Sequence, residues 1–256
     1  MRGQGAHSVE GVLHASSRDQ QSVKPYEEAI FMDSKNQSTD RISVLDHLPE
    51  GQHGLAVELG VAEGGFSNQL VFSKRFNWVV GVDMYADDHD TEEYKLALRR
   101  VGLFENYKLL RMRFDEALDL FPDESIDFLY IDGYAHTGED GGRTIIDWSR
   151  KVSVGGVIAG DDYDEAWPLV RRAVDYFVAC TGFELHVTER TAEGVRYNEY
   201  PSWAVCKTSE VPDIEPDRQL EMISSLSRAR VSIVRLLTRP IRSILRYSRN
   251  EDQTKT

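Results

Sequence analysis

Between residues 55 and 83 the chain runs LAVELG, then VAEGGFS, then a helical pattern, then WVVGVD. An apolar run feeds a glycine turn, a helix follows, and a second apolar run ends in a lone carboxylate, Asp83. Short strands separated by helices build parallel sheets. In such sheets a glycine turn after the first strand and an acid after the second hold an adenosine-type ligand. The glycines admit close backbone approach and the acid takes the ribose hydroxyls.

The alternation continues along the chain. Strand runs are expected at 55–60, 78–83, 107–113, 126–132, 155–162, 183–189 and 202–207, with helices over 66–76, 91–101, 115–121, 142–151 and 166–181. The last two strand runs are joined by a polar connection and read as a hairpin, which makes the final strand antiparallel. Residues 1–24 are polar and read as a mobile arm, with helical approach segments at 26–32 and 41–48. The organisation expected is an arm (1–24), an α/β domain (25–209) and a basic helical tail (210–256).

Lys plus Arg number 30 against 43 Asp plus Glu, a net charge of −13. Residues 1–210 hold 21 basic and 37 acidic groups, whereas 211–256 hold 9 and 6. An acidic body argues against nucleic acid as the main partner. Two cysteines, Cys180 and Cys206, offer no disulfide framework and read as small core residues. No signal core and no membrane-length apolar run is visible, which points to the cytoplasm.

Five strand–helix units closing in a hairpin, with ELGVAEGGFS and Asp83, resemble the class I S-adenosylmethionine-dependent methyltransferases. Within them, LYIDGYAH, VSVGGVIAGDDY and AWPLVRRAVDYF are similar to the macrocin O-methyltransferase type of small bacterial O-methyltransferase, over roughly residues 50–208. The resemblance implies a Rossmann-like seven-stranded sheet, mostly parallel with an antiparallel last strand and helices on both faces. S-adenosylmethionine carries no pyrophosphate, which suits a turn that is neither a P-loop nor Gly-x-Gly-x-x-Gly. Gly60 then makes the turn and Gly64 and Gly65 let the chain pass the methionine portion. Glu58 and Ser67 are placed around its ammonium and carboxylate, and Asp83 at its ribose. Asp115 either touches the adenine amino group or caps a helix.

A second set of acids lies further on. Asp132 ends one strand run, and Asp161 and Asp162 end the next, 29 residues later. Neighbouring parallel strands place these ends side by side on the ligand-binding rim. Three carboxylates meeting there repel unless a cation shares them, and an all-oxygen set points to Mg²⁺, Mn²⁺ or Ca²⁺. The resemblance likewise implies metal binding by Asp132, Asp161 and Asp162. Asp132 or His136 is the candidate base. The family pattern Asp-Gly-x-His is one residue longer here (Asp132 to His136), so His136 is either the base or a surface histidine. Tyr163, Trp167, Tyr197, Tyr200 and Trp203 flank the mouth; Tyr163 is an acceptor contact, and Trp203 belongs to the core.

The reaction implied is Mg²⁺-assisted methylation of a hydroxyl on a sugar or other small molecule. Alternatives are a metal-dependent hydroxylase-like relative on the same fold, or a non-catalytic cofactor-binding module. From Met222 to Arg249 seven arginines and no acids alternate with apolar residues. This basic amphipathic helix suits an anionic membrane surface, a partner subunit in a homo-oligomer, or its own domain.

Overall fold

The structure is a computed structural model, and it describes residues 41–86, 90–134, 137–189 and 199–230. The chain divides into two compact units, 1–37 and 38–256, and every described residue lies in the second. The expected arm, the helical segment at 26–32, His136, Tyr197 and the tail beyond residue 230 lie outside the described residues.

A seven-residue 3-10 helix, Arg41–His47, opens the described chain. Seven strands follow: β1 (His53–Leu59), β2 (Phe76–Val82), β3 (Tyr107–Leu110), β4 (Ile126–Ile131), β5 (Val152–Gly160), β6 (Leu185–Val187) and β7 (Trp203–Cys206). They form one sheet in the order β3-β2-β1-β4-β5-β7-β6, with β7 antiparallel to both of its neighbours and the other pairs parallel. The helices are α1 (Gly65–Phe72), α2 (Thr91–Arg100), α3 (Phe114–Ala117), α4 (Gly138–Gly141), α5 (Arg143–Ser149), α6 (Pro168–Thr181) and α7 (218–230). All seven expected strands are present, including the hairpin.

Period-two alternation sorts the strand residues onto two faces. Val57, Leu59, Leu129, Ile131 and Ile158 join the core shared with Phe114, Ile145, Trp148 and Phe177. Ala56, Phe128, Tyr130, Val157 and Ala159 pack with Phe66 and Leu70 of α1 and with Val44, Leu45 and Leu48. Trp203 is fully buried, as the sequence suggests.

Local chemistry sets the ends of elements. Asp90 caps α2, accepting from the Glu92 and Glu93 amides at 2.9 and 3.3 Å. Pro168 opens α6, and Gly182, at φ 71°, closes it. The helix expected over 66–76 stops at Phe72, because Lys74 turns through φ 55° into β2. That expected over 115–121 is a single turn of α3 followed by a 3-10 turn, Leu118–Leu120. The cysteines correct the sequence reading: Cys180 is exposed on α6 and Cys206 is only half-buried, so neither is a core residue.

Five consecutive residues, Gly138 to Gly142, have φ between 52° and 86°. Three are glycines, which alone enter this region without a steric penalty. The left-handed turn lets α7 come close: a Cβ on Gly141 would lie 2.7 Å from Ser224 Oγ and 3.0 Å from the Glu221 Cα. Leu220 is fully buried in the main core, and Arg143–Glu221 and Arg228–Asp140 ion pairs flank the contact. The described part of the tail therefore packs on its own domain. Among the described residues no helix is long and apolar enough to cross a membrane.

Leu220→Ala is expected to destabilise the domain by about 2–4 kcal/mol and to make α7 sensitive to protease. Urea denaturation and limited proteolysis check this.

Candidate active site

The parallel register lines up one rim. Leu59 pairs with Val82 on one side and Ile131 on the other, and Ile131 pairs with Gly160. The next residues continue the ladder: Gly60 N–H donates to Val82 O at 2.9 Å, Asp132 N–H to Leu59 O at 2.7 Å and Asp161 N–H to Ile131 O at 3.1 Å. Gly60, Asp83, Asp132 and Asp161 therefore stand side by side where strands end, although up to 101 residues separate them.

Gly60 is required there. Its φ is 93°, and a Cβ would collide with the Asp132 carbonyl. Gly64, at φ 79°, precedes α1 and passes close to Ala97 of α2, while Gly65 is the first residue of α1. Asp83 is buried and holds the loop from below. Its Oδ2 accepts from the Val61 and Ala62 amides at 2.9 and 3.1 Å, and its Oδ1 from the Tyr85 amide at 2.9 Å. The Tyr85 hydroxyl in turn donates to Ala62 O at 2.8 Å.

Glu58 and Ser67 meet, but beneath the loop. The Ser67 hydroxyl donates to Glu58 Oε2 and also contacts Tyr107 Oη at 2.8 Å. Burial pushes the Glu58 carboxyl up to about 8, against the opposing pull of the Ser67 hydrogen bond and of Arg41. Both side chains are thus partnered within the protein. Asp115 sits apart and exposed. Its carboxylate takes two hydrogen bonds from Arg113, at 2.9 and 2.6 Å, while Glu116 accepts the Arg113 backbone amide at 3.0 Å. Asp115 is inside the first turn of α3 and is not its N-cap, which corrects that half of the sequence reading.

The three rim acids are brought together around a residue the sequence did not flag. Arg41, from the start of the 3-10 helix, is buried with its guanidinium paired to Asp132 and 3.5 Å from Asp161. The group lies over the rings of Tyr130 and Phe66, 4.8 and 4.9 Å from their centroids. Its Nε donates to Tyr130 Oη at 2.7 Å, Tyr130 Oη lies 2.9 Å from Ser202 Oγ, and Ser202 donates to Asp161 Oδ1 at 2.9 Å. The donor directions run one way, from guanidinium through two hydroxyls to carboxylate. Asp162 follows with φ 62°, a left-handed conformation disfavoured for a side-chain-bearing residue and concentrated at functional positions.

A second missed residue is Glu139, in the left-handed turn. It is buried, its Oε2 has no hydrogen-bond partner, and it feels the charges of Asp132, Asp162 and Asp161. Burial first, and these neighbours next, push Glu139 well above the carboxylate range; the same causes raise Asp162. Burial also raises Asp161, opposed by Arg41. The signals in sequence were weak: an arginine upstream of the first strand, and an acid bracketed by glycines in GEDGG.

This arrangement does not fit a divalent cation held by Asp132, Asp161 and Asp162. A guanidinium takes the facing oxygens of two of them. Among the described residues, the one set of three His, Cys, Asp or Glu side chains whose ligand atoms converge within 4.8 Å lies elsewhere. The aromatic set is partly internal: Tyr163 donates to Asp175 at 2.7 Å, and Trp167 packs edge-on against Tyr200.

A family model described as a methyltransferase domain matches residues 57–163, from β1 through the rim acids. Residues 57–163 form a methyltransferase domain. Cofactor-bound Rv0187 from MTB is similar at 16% identity and a TM-score of 0.51, over 75% of this chain and 94% of that one. An O-methyltransferase from Bacillus cereus in complex with SAH gives 15% and 0.49, over 75% and 94%. Precorrin-6y C5,15-methyltransferase from Geobacter metallireducens GS-15 gives 17% and 0.49, over 65% and 87%. No curated protein matches the chain at a significant level. The match covers residues 57–163 of the 256, and the seven-stranded sheet these residues help to build agrees with it.

The buried acid beneath the methyltransferase loop has a pH signature. An acid whose folded value is raised binds more protons in the native than in the unfolded state, so stability falls as pH rises from about 4.5 to about 8. Glu58→Gln is expected to flatten part of that fall, leaving the variant relatively more stable at pH 8 than at pH 5. Thermal unfolding across that range measures it.

Proposed function

We propose that this methyltransferase acts on oxygen, methylating a hydroxyl of a small molecule, with sugar hydroxyls foremost. The observation that carries the reading is the acid-rich rim at the ends of β4 and β5, two strands from the Asp83 loop, with Arg41 as its built-in cation. A hydroxyl attacks well only as its proton leaves, so it needs an acceptor at hand. An amine among these carboxylates would stay as the unreactive ammonium. The choice of sugars rests on the resemblance to the macrocin type.

S-adenosylmethionine supplies the electrophilic methyl group. The residues at the first rim fit it: a turn that only glycine can make at Gly60, and Asp83 as acceptor for ribose hydroxyls. Asp132, partly exposed at the rim, holds the acceptor hydroxyl and takes its proton as the new O–C bond forms and the S–C bond breaks. Arg41 pairs with Asp132 and orients it. Asp162 and Glu139, both raised by burial, are further polar groups beside Asp132. His136 remains a second candidate for the base. The cation's part is taken by Arg41, so no step needs Mg²⁺.

Calorimetry and a methyl-transfer assay over a panel of sugars test this. Wild type should bind S-adenosylmethionine. Asp83→Ala should weaken binding about tenfold or more, the loss of a charge-assisted hydrogen bond worth about 1.5–3 kcal/mol. Adding Mg²⁺ should leave the transfer rate unchanged. Failure of wild type to bind the cofactor would sink the reading, and strong activation by Mg²⁺ would overturn the role given to Arg41.

A further inference from the structure

The 3-10 helix that supplies Arg41 at one end carries His47 at the other. There His47 meets His186 of β6 and Cys206 of β7. The two imidazole rings stack with centroids 4.1 Å apart and planes 21° from parallel. The Cys206 thiol donates to His47 O at 3.7 Å. One ligand atom from each side chain falls within 4.8 Å of the other two, and all three residues are half-buried. Three elements far apart in sequence each contribute one metal-ligating group to one spot.

We propose that His47, His186 and Cys206 bind a borderline transition-metal ion, with Zn²⁺ as the best match, and that the ion fastens the Arg41-bearing helix to the β6–β7 hairpin. Two imidazoles and a thiolate select Zn²⁺ over Mg²⁺ or Ca²⁺, which take oxygen ligands. With bonds of about 2.0–2.3 Å, a tetrahedral ion places its donors about 3.3–3.7 Å apart. Contracting the observed cluster by about 1 Å meets that spacing, within reach of side-chain rotation.

Burial first, and Glu184 next, raise the Cys206 thiol, so an ion at this spot has to displace its proton. Burial and the neighbouring His186 hold His47 below the usual imidazole value. Glu184, on the same hairpin, acts electrostatically on both His47 and Cys206 and is the candidate for the fourth position, with water as the alternative. On binding, the Cys206 thiol releases its proton to solvent and the thiolate takes the ion. The helix has reason to be fastened, because 3-10 runs beyond three or four residues are uncommon and this one has seven. Arg75 already secures the same end, donating to the carbonyls of Leu45, Leu48 and Pro49.

The site is separate from the reacting atoms. Cys206 pairs with Val157, three residues before Gly160, so it lies about 10 Å down the sheet from the rim. Its role is to position the helix, and Arg41 with it.

The full chain, stripped of metal and titrated with Co²⁺, tests the proposal without any variant. One equivalent should produce a thiolate-to-metal charge-transfer band with tetrahedral visible bands, and Zn²⁺ should displace both. Zn²⁺ should also raise the Tm of the stripped protein, whereas Mg²⁺ should not. Cys206→Ser should lose the charge-transfer band, and His186→Ala should weaken Zn²⁺ binding by about tenfold or more. Absence of the band in wild type overturns the proposal, as does equal stabilisation of wild type and both variants by Zn²⁺. The wild-type spectrum decides even where a variant fails to fold.

Discussion

One buried guanidinium holds the acid-rich rim in its present form. Arg41 sits between Asp132 and Asp161 and is braced by two aromatic rings. Removing a charged group from water costs several kcal/mol, and a buried pair is sustained only when every partner is satisfied. Here both acids and both hydroxyls of Tyr130 and Ser202 meet that requirement. The network joins the 3-10 helix to the ends of β4 and β5 and to the residue that leads into β7. One side chain thereby links elements that lie far apart in sequence.

Burial acts on several of the acids at this end of the sheet. Glu58 under the loop, Asp162 at the rim and Glu139 in the left-handed turn are all raised by burial. The strained backbone at Asp162 and Glu139 sits at two of these three positions. Strain of this kind persists only where the surroundings over-determine it.

Much of the fold was legible because strand and helix periods differ and are read directly from apolar spacing. The order of strands along the rim followed, which placed Gly60, Asp83, Asp132 and Asp161 correctly relative to one another. What resisted reading was long-range. Arg41 lies outside the expected family span of about 50–208, and nothing local marks an arginine that will pair 91 residues away. Glu139 was hidden because only the backbone turn buries it. Strand alternation turns Glu58 toward α1 and into contact with Ser67, a pairing that the loop sequence alone does not show. Cys180 and Cys206 show the limit of composition, since two sparse cysteines carry no information about exposure.

The three amides held by Asp83 have a consequence for the kinetics of ligand entry. Its oxygens already accept hydrogen bonds from Val61, Ala62 and Tyr85, so the turn is shaped before any ligand arrives. Under the proposed function, an incoming ribose adds to, or swaps with, these bonds and does not have to order a slack loop. Association should then resemble docking into a rigid frame, with the rate set by diffusion and the lifetime by how well the newcomer competes for one carboxylate. Product would leave the same frame intact, ready for the next turnover.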